Sequence, residues 1–397
     1  MKNNRTFLEK LLDGAEVKWM PLDEVANIAN NARKPVKSSL RISGNIPYYG
    51  ANNIQDYVEG YTHDGEFVLI AEDGSASLEN YSIQWAVGKF WANNHVHVVN
   101  GKEKLNNRFL YHYLTNMNFI PFLAGKERAK LTKAKLQQIP IPIPPLPVQT
   151  EIVKILDALT ALTSELTSEL TSELTLRRKQ YEYYREKLLS EEELGKVGFE
   201  WRTLEELVEK TQSIKWKNNT KTYRYIDLTS VDRENNSITG TIEINALNAP
   251  SRAQKIVKEN DVIFATTRPT QQRVALISKE FSDEIASTGY CVLRANTKIV
   301  LPKWLFYFLS TINFKNYVEE NQSGSAYPAI SDSKVKEFRI PVPEITIQQR
   351  IIEKLDKFYS LTNSLLHGLP KEINNRKKQY SYYQKELLNF LGDNIYE

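Results

Sequence analysis

The stretch that decides the fold is IPIPPLPVQTEIVKILD, residues 141–157, because it occurs again as IPVPEITIQQRIIEKLD at residues 340–356. The offset of 199 positions also superimposes RRKQYEYYREKLL, from Arg177, on RKKQYSYYQKELL, from Arg376. Without any gap, 20 of the 49 positions from 141 to 189 are identical between the copies. Self-similarity at one fixed offset indicates two homologous halves in one chain.

The repeated blocks enclose two blocks that do not align with each other. The order is a variable block at about 20–135, a repeated block at 136–192, a second variable block at 201–330 and the repeated block again at 331–392. Glu9-Lys10-Leu11-Leu12 before Trp19 resembles the run of residues 186–189 before Trp201, so the repeat is cyclic. The chain of 397 residues is long enough for two to three domains.

Composition sets the broad class of the protein. Hydrophobic residues at 41% and charged residues at 25% are ordinary values for a folded chain, and the net charge of +4 is mild. The many aromatic residues beside 52 Lys plus Arg permit nucleic-acid binding. One cysteine, Cys291, excludes an internal disulfide and a zinc site of several thiolates. With no apolar run long enough for a signal peptide or a membrane helix, we expect a cytoplasmic protein without a membrane partner.

The repeated block predicts an extended approach followed by a long helix. Pro142, Pro144, Pro145 and Pro147 cannot lie inside a helix, and the run from Val148 lacks proline for more than 40 residues. Apolar residues then recur every three or four positions and form one stripe. They are Ile152, Ile155, Leu156, Leu159, Leu162, Leu166, Leu170 and Leu174. In TSELTSELTSELT, residues 163–175, leucine every fourth residue overshoots a 3.6-residue turn by about 40°, so the stripe winds slowly around the helix.

Such a stripe requires a long helical partner, and the other copy supplies one. Leu361, Leu365, Leu369 and Ile373 lie 199 residues after the last four leucines of the stripe, which predicts antiparallel pairing of the two copies. The alternative is that each stripe packs on its own domain. Gly368 and Pro370 should loosen or kink the second helix. Adding one TSEL unit would add about 6 Å of helix, so the repeat can act as a ruler.

The first variable block offers side chains suited to DNA. Asn, Gln and Arg read base edges, whereas Lys and Arg contact phosphates. The turn-rich GNIPYYGANNIQDYVEGY (44–61), the strand-like KFWANNHVHVV (89–99) and the basic AGKERAKLTKAK (124–135) supply the candidates. They are Tyr48, Tyr49, Asn52, Asn53, Lys89, Asn93, Asn94, His95, Lys130 and Lys133. The alternative is an ordinary loop that uses Asn and Gly for turn geometry.

The second variable block presents a comparable set. Residues 261–265 predict a buried strand, after which ATTRPTQQR brings hydroxyls, amides and two arginines together in a loop. A solvated hairpin would show the same residues. The candidates here are Arg224, Thr266, Thr267, Arg268, Gln271, Gln272 and Arg273, with Ser325 and Tyr327 from QSGSAYPAISDSK (322–334).

Catalytic and metal signatures are weak. Asn45-Ile46-Pro47-Tyr48 resembles the Asn-Pro-Pro-Tyr signature of amino-directed DNA methyltransferases, but no glycine-rich turn for a methyl donor and no phosphate loop accompanies it. His95 and His97 share one face of a predicted strand, where we favour a polar face over a metal site because no third ligand lies near. The sequence therefore predicts a chain without catalytic or metal sites.

The cyclic order of these segments resembles the specificity (S) subunits of type I restriction-modification systems, over nearly the whole chain. The marks are the two IPxP…Q…LD blocks, the helix with tetrapeptide repeats, IPYYGANNI and FWANNHVHV in the first block, and ATTRPTQQR with ASTGYCVLR in the second. The resemblance implies a mixed α/β (α+β) fold with two target recognition domains separated by two helices that pair as an antiparallel coiled coil. It divides the chain into recognition domains at 1–140 and 196–339 and spacer helices at 141–195 and 340–397.

The resemblance also implies partners. Such a subunit reads a bipartite target in double-stranded DNA, with one half-site per recognition domain, and has no enzyme activity. It recruits two methyltransferase subunits and then restriction subunits, and S-adenosylmethionine, ATP and Mg²⁺ act on those partners. For docking of these subunits or helix pairing we select the leucines at 162, 166, 170, 174, 361, 365 and 369, with Lys179, Tyr181, Lys378 and Tyr380. A coiled-coil scaffold holding two protein-binding modules without DNA is the alternative.

Overall fold

The computed structural model describes residues 5–125, 129–363 and 368–390. The chain forms two compact units: unit 1 comprises Met1–Thr167 and Arg376–Glu397, and unit 2 comprises Ser168–Asn375. The four predicted segments divide the chain differently. Each unit combines one variable block with parts of both repeated blocks, because the helices of the repeat pack into the cores of the units.

Unit 1 is built on an antiparallel sheet with one parallel pair. Its strands are β1 (Lys18–Pro21), β2 (Ala26–Ile28), β3 (Ser43–Tyr49), β4 (Ile54–Val58), β5 (His63–Ala71), β6 (Ile83–Ala92), β7 (Val96–Gly101) and β8 (Pro140–Ile143). Within the described residues, six of them form one sheet in the order β2-β7-β5-β6-β3-β4, and β3 and β6 are its parallel neighbours. The helices are α1 (Phe7–Leu12), α2 (Leu22–Val25), α3 (Asn107–Thr115) and α4 (Lys133–Gln137). Helix α3 packs against β5 and β6.

Unit 2 has shorter strands arranged differently. They are β9 (Glu200–Thr203), β10 (Val208–Glu209), β11 (Gln212–Ser213), β12 (Tyr223–Ile226), β13 (Ile242–Ile244), β14 (Ala253–Ile256), β15 (Val262–Ala265), β16 (Val274–Leu276), β17 (Ile285–Ser287), β18 (Tyr290–Ala295) and β19 (Arg339–Val342). The described strands form a sheet β10-β18-β15-β16 and a sheet β11-β14-β17-β12-β13. The predicted buried strand after Asp261 is confirmed, since every residue of β15 is buried.

The helices complete the mixed α/β fold that the sequence predicts. A helix of 43 residues, α5 (Leu146–Leu188), begins in unit 1 and ends in unit 2. Pro147 lies in its first turn, where the missing N–H breaks no helical hydrogen bond. The other helices are α6 (Glu191–Gly195), α7 (Leu204–Leu207), α8 (Pro302–Phe308), α9 (Ile312–Asn321), α10 (Asp332–Glu337), α11 (Ile345–Asn363) and α12 (Gly368–Leu388).

The predicted loosening or kink of the second repeated helix is confirmed at Gly368, where the backbone departs from helical geometry. Helix α11 ends at Asn363 and α12 begins at Gly368, whose φ of +77° is left-handed. A Cβ at this position would lie 2.7 Å from the Leu361 carbonyl oxygen, so only glycine fits. Leu365 lies outside the described residues.

The apolar stripe is buried unevenly. Ile152 and Leu156 are fully buried in the core of unit 1, whereas Leu166, Leu170 and Leu174 are half-buried. Leu162 is 53% exposed, and its counterpart Leu361 is 49% exposed. At 100° per residue, Leu162 lies about 80° around the helix from Ile152, at the edge of the stripe. Leu162 and Leu361 are thus exposed in this chain, and their part in subunit docking or helix pairing stays a prediction, while Leu369 is half-buried in α12.

The repeated helices pack antiparallel within each unit. In unit 1 the Thr160 hydroxyl lies 3.0 Å from the Tyr380 hydroxyl, and Leu387 joins the core that holds Ile152. An earlier residue of α5, Ile152, thus lies near a later residue of α12, Leu387, so the two helices are antiparallel. In unit 2 the rings of Tyr181 and Tyr359 are 5.9 Å apart. Tyr359 and Tyr380 lie 199 residues after Thr160 and Tyr181, so the two contacts are the same pair of repeat positions.

The repeated glutamine joins each helix of the repeat to a short domain helix. Gln149 is fully buried: its Oε1 accepts from the Asn106 N–H at the start of α3, and its Nε2 donates to the Lys104 and Pro144 carbonyls. Gln348 is also fully buried and makes the same three bonds at the start of α8, with the Leu301 N–H and the carbonyls of Ile299 and Pro343. The "Q" of the repeated motif is thus a structural clamp.

The repeated aspartate makes the second junction, with different partners in the two units. Asp157 accepts from Arg108 and His112, which lie four residues apart on α3. Asp356 accepts from Lys303 and Tyr307, four residues apart on α8. Burial acts to raise the pKa of Asp157, but the bonds from Arg108 and His112 outweigh it and hold that pKa below its usual value. The junction is kept although Lys303 takes the place of Arg108 and Tyr307 takes the place of His112.

Candidate nucleic-acid interface

The loop between β2 and β3 in unit 1 is basic and exposes two large apolar side chains. Leu40 is 70% exposed and Ile42 is 66% exposed, while Lys34 and Lys37 beside them are also exposed. The guanidinium of Arg41 lies 4.1 Å from the ring centre of Tyr48, and its Nε donates to the Val36 carbonyl. Apolar side chains that project from a cationic loop are suited to insertion between base steps of a duplex.

A cleft next to this loop contains an aromatic floor. It has a volume of about 250 Å³ and is lined by Lys34, Val36, Val58 and the ring of Trp91, among others. The Trp91 indole N–H donates to the Lys34 carbonyl, and the Lys34 ammonium lies 6.0 Å from the Trp91 ring centre. Aromatic faces beside cations can hold a base or a sugar next to its phosphate.

The predicted turn-rich segment folds as a hairpin of β3 and β4. Asn52 and Asn53 lie in its turn and are exposed, and Asn52 ties the turn to the next loop, because its amide donates to the Gly74 carbonyl and accepts from the Ala76 N–H. Tyr49 is half-buried. Beyond the hairpin, Lys89 is exposed, with its ammonium 4.8 Å from the Tyr61 ring. Exposed Tyr57 and Tyr61 therefore extend the aromatic and cationic surface.

Three predicted DNA-contacting residues lie in the core instead. Tyr48 is 1% exposed, and its hydroxyl accepts from the Val36 N–H. Asn93 is buried and accepts from the His95 N–H, and buried Thr266 donates to the Gly289 carbonyl. The sequence prediction is corrected for these three, because their polar groups satisfy backbone groups of the fold rather than facing solvent.

Two other predicted DNA-contacting residues, Lys130 and His95, form ion pairs with acidic residues of unit 1. Glu72 accepts from Arg33 at 2.7 Å and from Lys130 at 2.9 Å. Burial acts to raise the pKa of Glu72, but these two hydrogen bonds outweigh it and lower that pKa. His95 pairs with Asp73 at 2.5 Å. Lys133 and Asn94 are exposed, and residues 126–128 of the basic segment lie outside the described residues.

His97 does not lie on a polar strand face, so that prediction is wrong. The ring is fully buried, with Nδ1 2.9 Å from the Asn30 amide and Nε2 2.7 Å from the Leu131 carbonyl oxygen. Burial lowers the pKa of His97, so the neutral ring is favoured. Across residues 5–125, 129–363 and 368–390, no group of three His, Cys, Asp or Glu side chains could hold a metal ion.

In unit 2 the structure brings two predicted segments together. The loop at 266–273 and the segment at 322–334 meet through a bridge between Thr267 and Ala329. Arg268 is exposed, and its guanidinium lies 5.2 Å from the ring of exposed Tyr327. Ser325 is also exposed, and Thr267 is half-buried. Residues more than 50 positions apart thus form one polar, aromatic and cationic surface.

The remaining arginines and amides of this group are engaged in the fold. Arg224 pairs with Glu280 at 2.8 Å and with Glu284 at 3.1 Å, so its charge is neutralised within the unit. Arg273 donates to the Val231 carbonyl. Gln271 and Gln272 are half-buried, and the backbone of Gln272 is left-handed, with φ of +49°. The exposed part of the loop therefore centres on Arg268.

The residues predicted for subunit docking or helix pairing also fall into a packed group and an exposed group. Tyr181 is buried against Tyr359, and burial raises its pKa to about 12. Tyr380 is half-buried and contacts Thr160. Helix packing therefore accounts for both tyrosines, whereas Lys179 and Lys378 are exposed.

No helix in the described part of the chain is both long and apolar enough to cross a bilayer.

Comparison with known proteins now identifies the class. A family model described as the type I restriction modification DNA specificity domain matches residues 15–176 and again residues 196–375. The two matches cover most of the chain and fall one on each half of the repeat. The protein belongs to this family, which confirms the resemblance drawn from the repeated blocks.

Individual relatives agree over the full length. A Haemophilus influenzae protein that carries the name of a type I restriction enzyme specificity subunit is 58% identical over 394 residues, which are 98% of this chain and 100% of that protein. The type I restriction enzyme EcoR124I/EcoR124II specificity subunit of Escherichia coli is 30% identical over 414 residues, covering 97% of each chain.

Two solved structures are also similar in part. The HsdS subunit from Thermoanaerobacter tengcongensis shares 31% identity over 48% of this chain and 46% of its own, with a TM-score of 0.39. A type-I restriction-modification system S subunit from M. genitalium shares 14% identity over 94% of this chain and 96% of its own, with a TM-score of 0.49.

Proposed function

We propose that the protein is the DNA-reading subunit of a type I restriction-modification complex, and that units 1 and 2 each read one half of a bipartite target. One observation carries this proposal. The repeated glutamine and aspartate join both units to the helices in the same way. The sheets of the two units nevertheless differ in strand order, and their exposed surfaces differ in side chains and charge. Two units with the same junctions but different exposed surfaces are suited to two different half-sites.

In unit 1 the reading surface is the loop at 33–42 with the Trp91 cleft and the exposed residues of the β3–β4 hairpin. In unit 2 it is the loop around Arg268 with Ser325 and Tyr327. Each surface combines cations for phosphates with aromatic or amide groups for bases. Arg33 and Arg41 are paired with Glu72 and Asp56 inside unit 1, whereas Lys34, Lys37 and Arg268 form no ion pair among the described residues. These three cations would contact phosphates, which favours a duplex over a protein partner.

Helix α5 sets the gap between the half-sites in this proposal. It is continuous for 43 residues, and the TSEL repeat lies in its middle. One added unit lengthens the helix by about 6 Å, which is close to one or two base pairs at about 3.4 Å each. A bipartite target with a fixed gap of uncontacted bases follows.

The partners proposed are two methyltransferase subunits and the restriction subunits. Exposed Lys179 and Lys378 occupy equivalent positions of the repeat and would serve as equivalent docking points. S-adenosylmethionine, ATP and Mg²⁺ would act on the partners, so this chain positions DNA and is not itself an enzyme. The complex would work in the cytoplasm, where the DNA is.

The decisive experiment is to express the chain with the methyltransferase subunit of its own system and map methylated adenines by single-molecule sequencing. A bipartite motif with a constant gap is the expected result. An assembled complex that methylates no motif would instead favour a scaffold that presents protein-binding modules.

The ruler is tested with a variant that lacks one TSEL unit of residues 163–174. The gap should shorten while both half-sites stay the same. A control variant with the three TSEL units rewritten as three TAEL units keeps helix length and should keep the gap. An unchanged gap in the deletion variant would contradict the role of α5.

A further inference from the structure

A cleft in unit 2 contains three arginines that the proposed reading surface does not use. It has a volume of about 310 Å³ and lies between the C-terminal part of α5, α11 and three loops of the same unit. We name it the arginine cleft. Its lining includes Arg178, Tyr181, Arg185, Arg233, Glu234 and Gln272.

Two buried hydrogen-bond donors in this cleft lack acceptors. Arg178 Nε and Gln272 Nε2 are shielded from solvent, and neither has a hydrogen-bond partner among the described residues. Buried N–H groups are nearly always paired, because leaving one unpaired costs free energy. Both orphans are donors, so the missing component is one that supplies acceptor oxygens.

Three arginines and two glutamates, Glu182 and Glu234, line the cleft, so the excess of positive charge favours an anion as that component. Arg185 is held by Glu186 through two hydrogen bonds, of 2.8 and 3.2 Å. Arg178, in contrast, forms an ion pair among the described residues with Glu234 alone, at 3.7 Å, and the Glu234 side chain is 77% exposed. Arg233 is exposed at the rim. A guanidinium with so loose a partner is available to an oxyanion, whose geometry matches the planar donor fork.

Gln272 connects the cleft to the loop that carries Arg268. It is the last residue of a short turn, Arg268 is the first, and both have left-handed backbones with φ of +49°. Non-glycine residues keep this conformation only where their surroundings hold it. A ligand that accepts from the Gln272 amide would hold the end of the Arg268 loop in place.

The cleft is not a feature of the repeat. The positions of Arg178 and Arg185 are occupied in α12 by Lys377 and Gln384. The Gln384 amide donates to Thr115 at 3.1 Å within unit 1. In the second copy of the helix, Gln384 therefore stabilises unit 1, and the pair of arginines occurs in unit 2 alone among the two copies of the repeat.

We propose that the arginine cleft binds a phosphoryl oxyanion, with Arg178 and Gln272 as donors and Arg233 at the rim. Two sources share this chemistry: a phosphate of the DNA backbone and free inorganic phosphate. The site stands on its own geometry and does not require that the protein read two half-sites.

The first arm of the test titrates the full chain with inorganic phosphate by calorimetry at constant ionic strength. Saturable one-to-one binding is expected. Arg178→Ala should weaken it at least tenfold, and Arg233→Ala, an exposed position with little influence on folding, should weaken it several-fold. The matched control is Arg177→Ala, which removes the same charge one residue earlier, where the side chain pairs with Glu173.

The second arm separates the two sources. The salt dependence of duplex binding is measured for the complex with the methyltransferase subunit, on target and unrelated sequences. Loss of one phosphate contact lowers the slope of log affinity against log salt by about 0.9. A slope lowered in Arg178→Ala but not in Arg177→Ala, on both sequences, assigns the site to the DNA backbone. An unchanged slope beside lost phosphate binding assigns it to free phosphate.

The inference falls if neither arm separates Arg178→Ala from Arg177→Ala, with both variants folded by circular dichroism. That result would leave the proposed reading of DNA untouched, because half-site recognition is measured independently by the methylated motif. Conversely, phosphate binding without any methylated motif would keep the cleft and remove the proposed function.

Discussion

Units 1 and 2 hold the same two side chains of the repeat but surround them differently. The buried Gln149 and Gln348 make the same three hydrogen bonds, whereas Asp157 meets an arginine and a histidine and Asp356 meets a lysine and a tyrosine. The hydrogen bonds of the glutamines to backbone groups are the same in both units, whereas the side chains that bond to the aspartates differ. The frame is thus defined by main-chain geometry, and the domains attached to it are free to diverge.

The largest expected effect concerns Gln149 and Gln348, the feature that the two units share. Gln149→Leu and Gln348→Leu each leave three backbone groups without their side-chain partner, one of which, the carbonyl of Pro144 or Pro343, takes part in a buried bond. A buried unpaired group costs about 1–3 kcal/mol and a partly buried one less, so each variant should lose about 2–4 kcal/mol of unfolding free energy, and the two losses should be similar. Urea unfolding with pulse proteolysis and mass spectrometry reports each unit separately.

Exposed Gln138 and Gln349 supply the matched controls, since Gln138→Leu and Gln349→Leu should change little. A large loss in one unit with a small loss in the other would mean that the two clamps are not equivalent.

The next prediction concerns the two surfaces proposed to read DNA, which differ between the units. Arg268→Ala should weaken recognition of one half-site by about tenfold, because a good arginine contact to a base is worth about 1–3 kcal/mol. Leu40→Ser should weaken the other half-site only. Binding to duplexes with each half-site scrambled in turn measures both, and exposed Lys154→Ala on α5 is the control. Loss at both half-sites from either change would show that the surfaces do not act separately.

An effect of similar size, on stability rather than on binding, is expected at the divergent junction. Tyr307→Phe removes one hydrogen bond to a carboxylate, which costs about 1.5–3 kcal/mol, and leaves Lys303 on Asp356. Because Tyr307 is 1% exposed, the ring itself should stay packed. The measurement is the unfolding free energy of unit 2, and the control is Tyr327→Phe, whose side chain is exposed. Equal stability of Tyr307→Phe and the native chain would assign the junction to Lys303 alone.

The smallest effect is a difference in acid sensitivity. Burial lowers the pKa of both His97 and His112 in unit 1. A histidine whose pKa is lowered on folding takes up its proton more readily in the unfolded chain, so stability is lost as the pH falls below about 6.5. Unit 1 should therefore lose stability between pH 7.5 and 5.5.

Unit 2 should lose less over the same range, because Tyr307 replaces His112 at its junction and does not titrate there. Its one histidine, His367, lies outside the described residues. Pulse proteolysis at the two pH values, with fragments assigned to each unit, measures the difference. Equal losses in both units would contradict it.

The reading surfaces show where sequence reasoning reached its limit. Arg268, Tyr327 and Ser325 are exposed as predicted candidates, but Tyr48, Asn93 and Thr266 have the same residue types and lie in the core. The loop at 33–42 was missed, although RKPVKSSLRI contains four cations among exposed apolar residues. That pattern of charge is the signal that could have found it.

The sequence by itself determined the cyclic repeat, the family, the long helix and the interruption at Gly368, because each depends on local spacing or on self-similarity of the chain. Only the tertiary structure decided which polar side chains face solvent. Tyr48 is buried because its hydroxyl meets the Val36 backbone, and Arg268 is placed beside Tyr327 because Thr267 and Ala329 form a bridge across more than 50 residues. Such burial depends on partners distant in the chain, which no local pattern specifies.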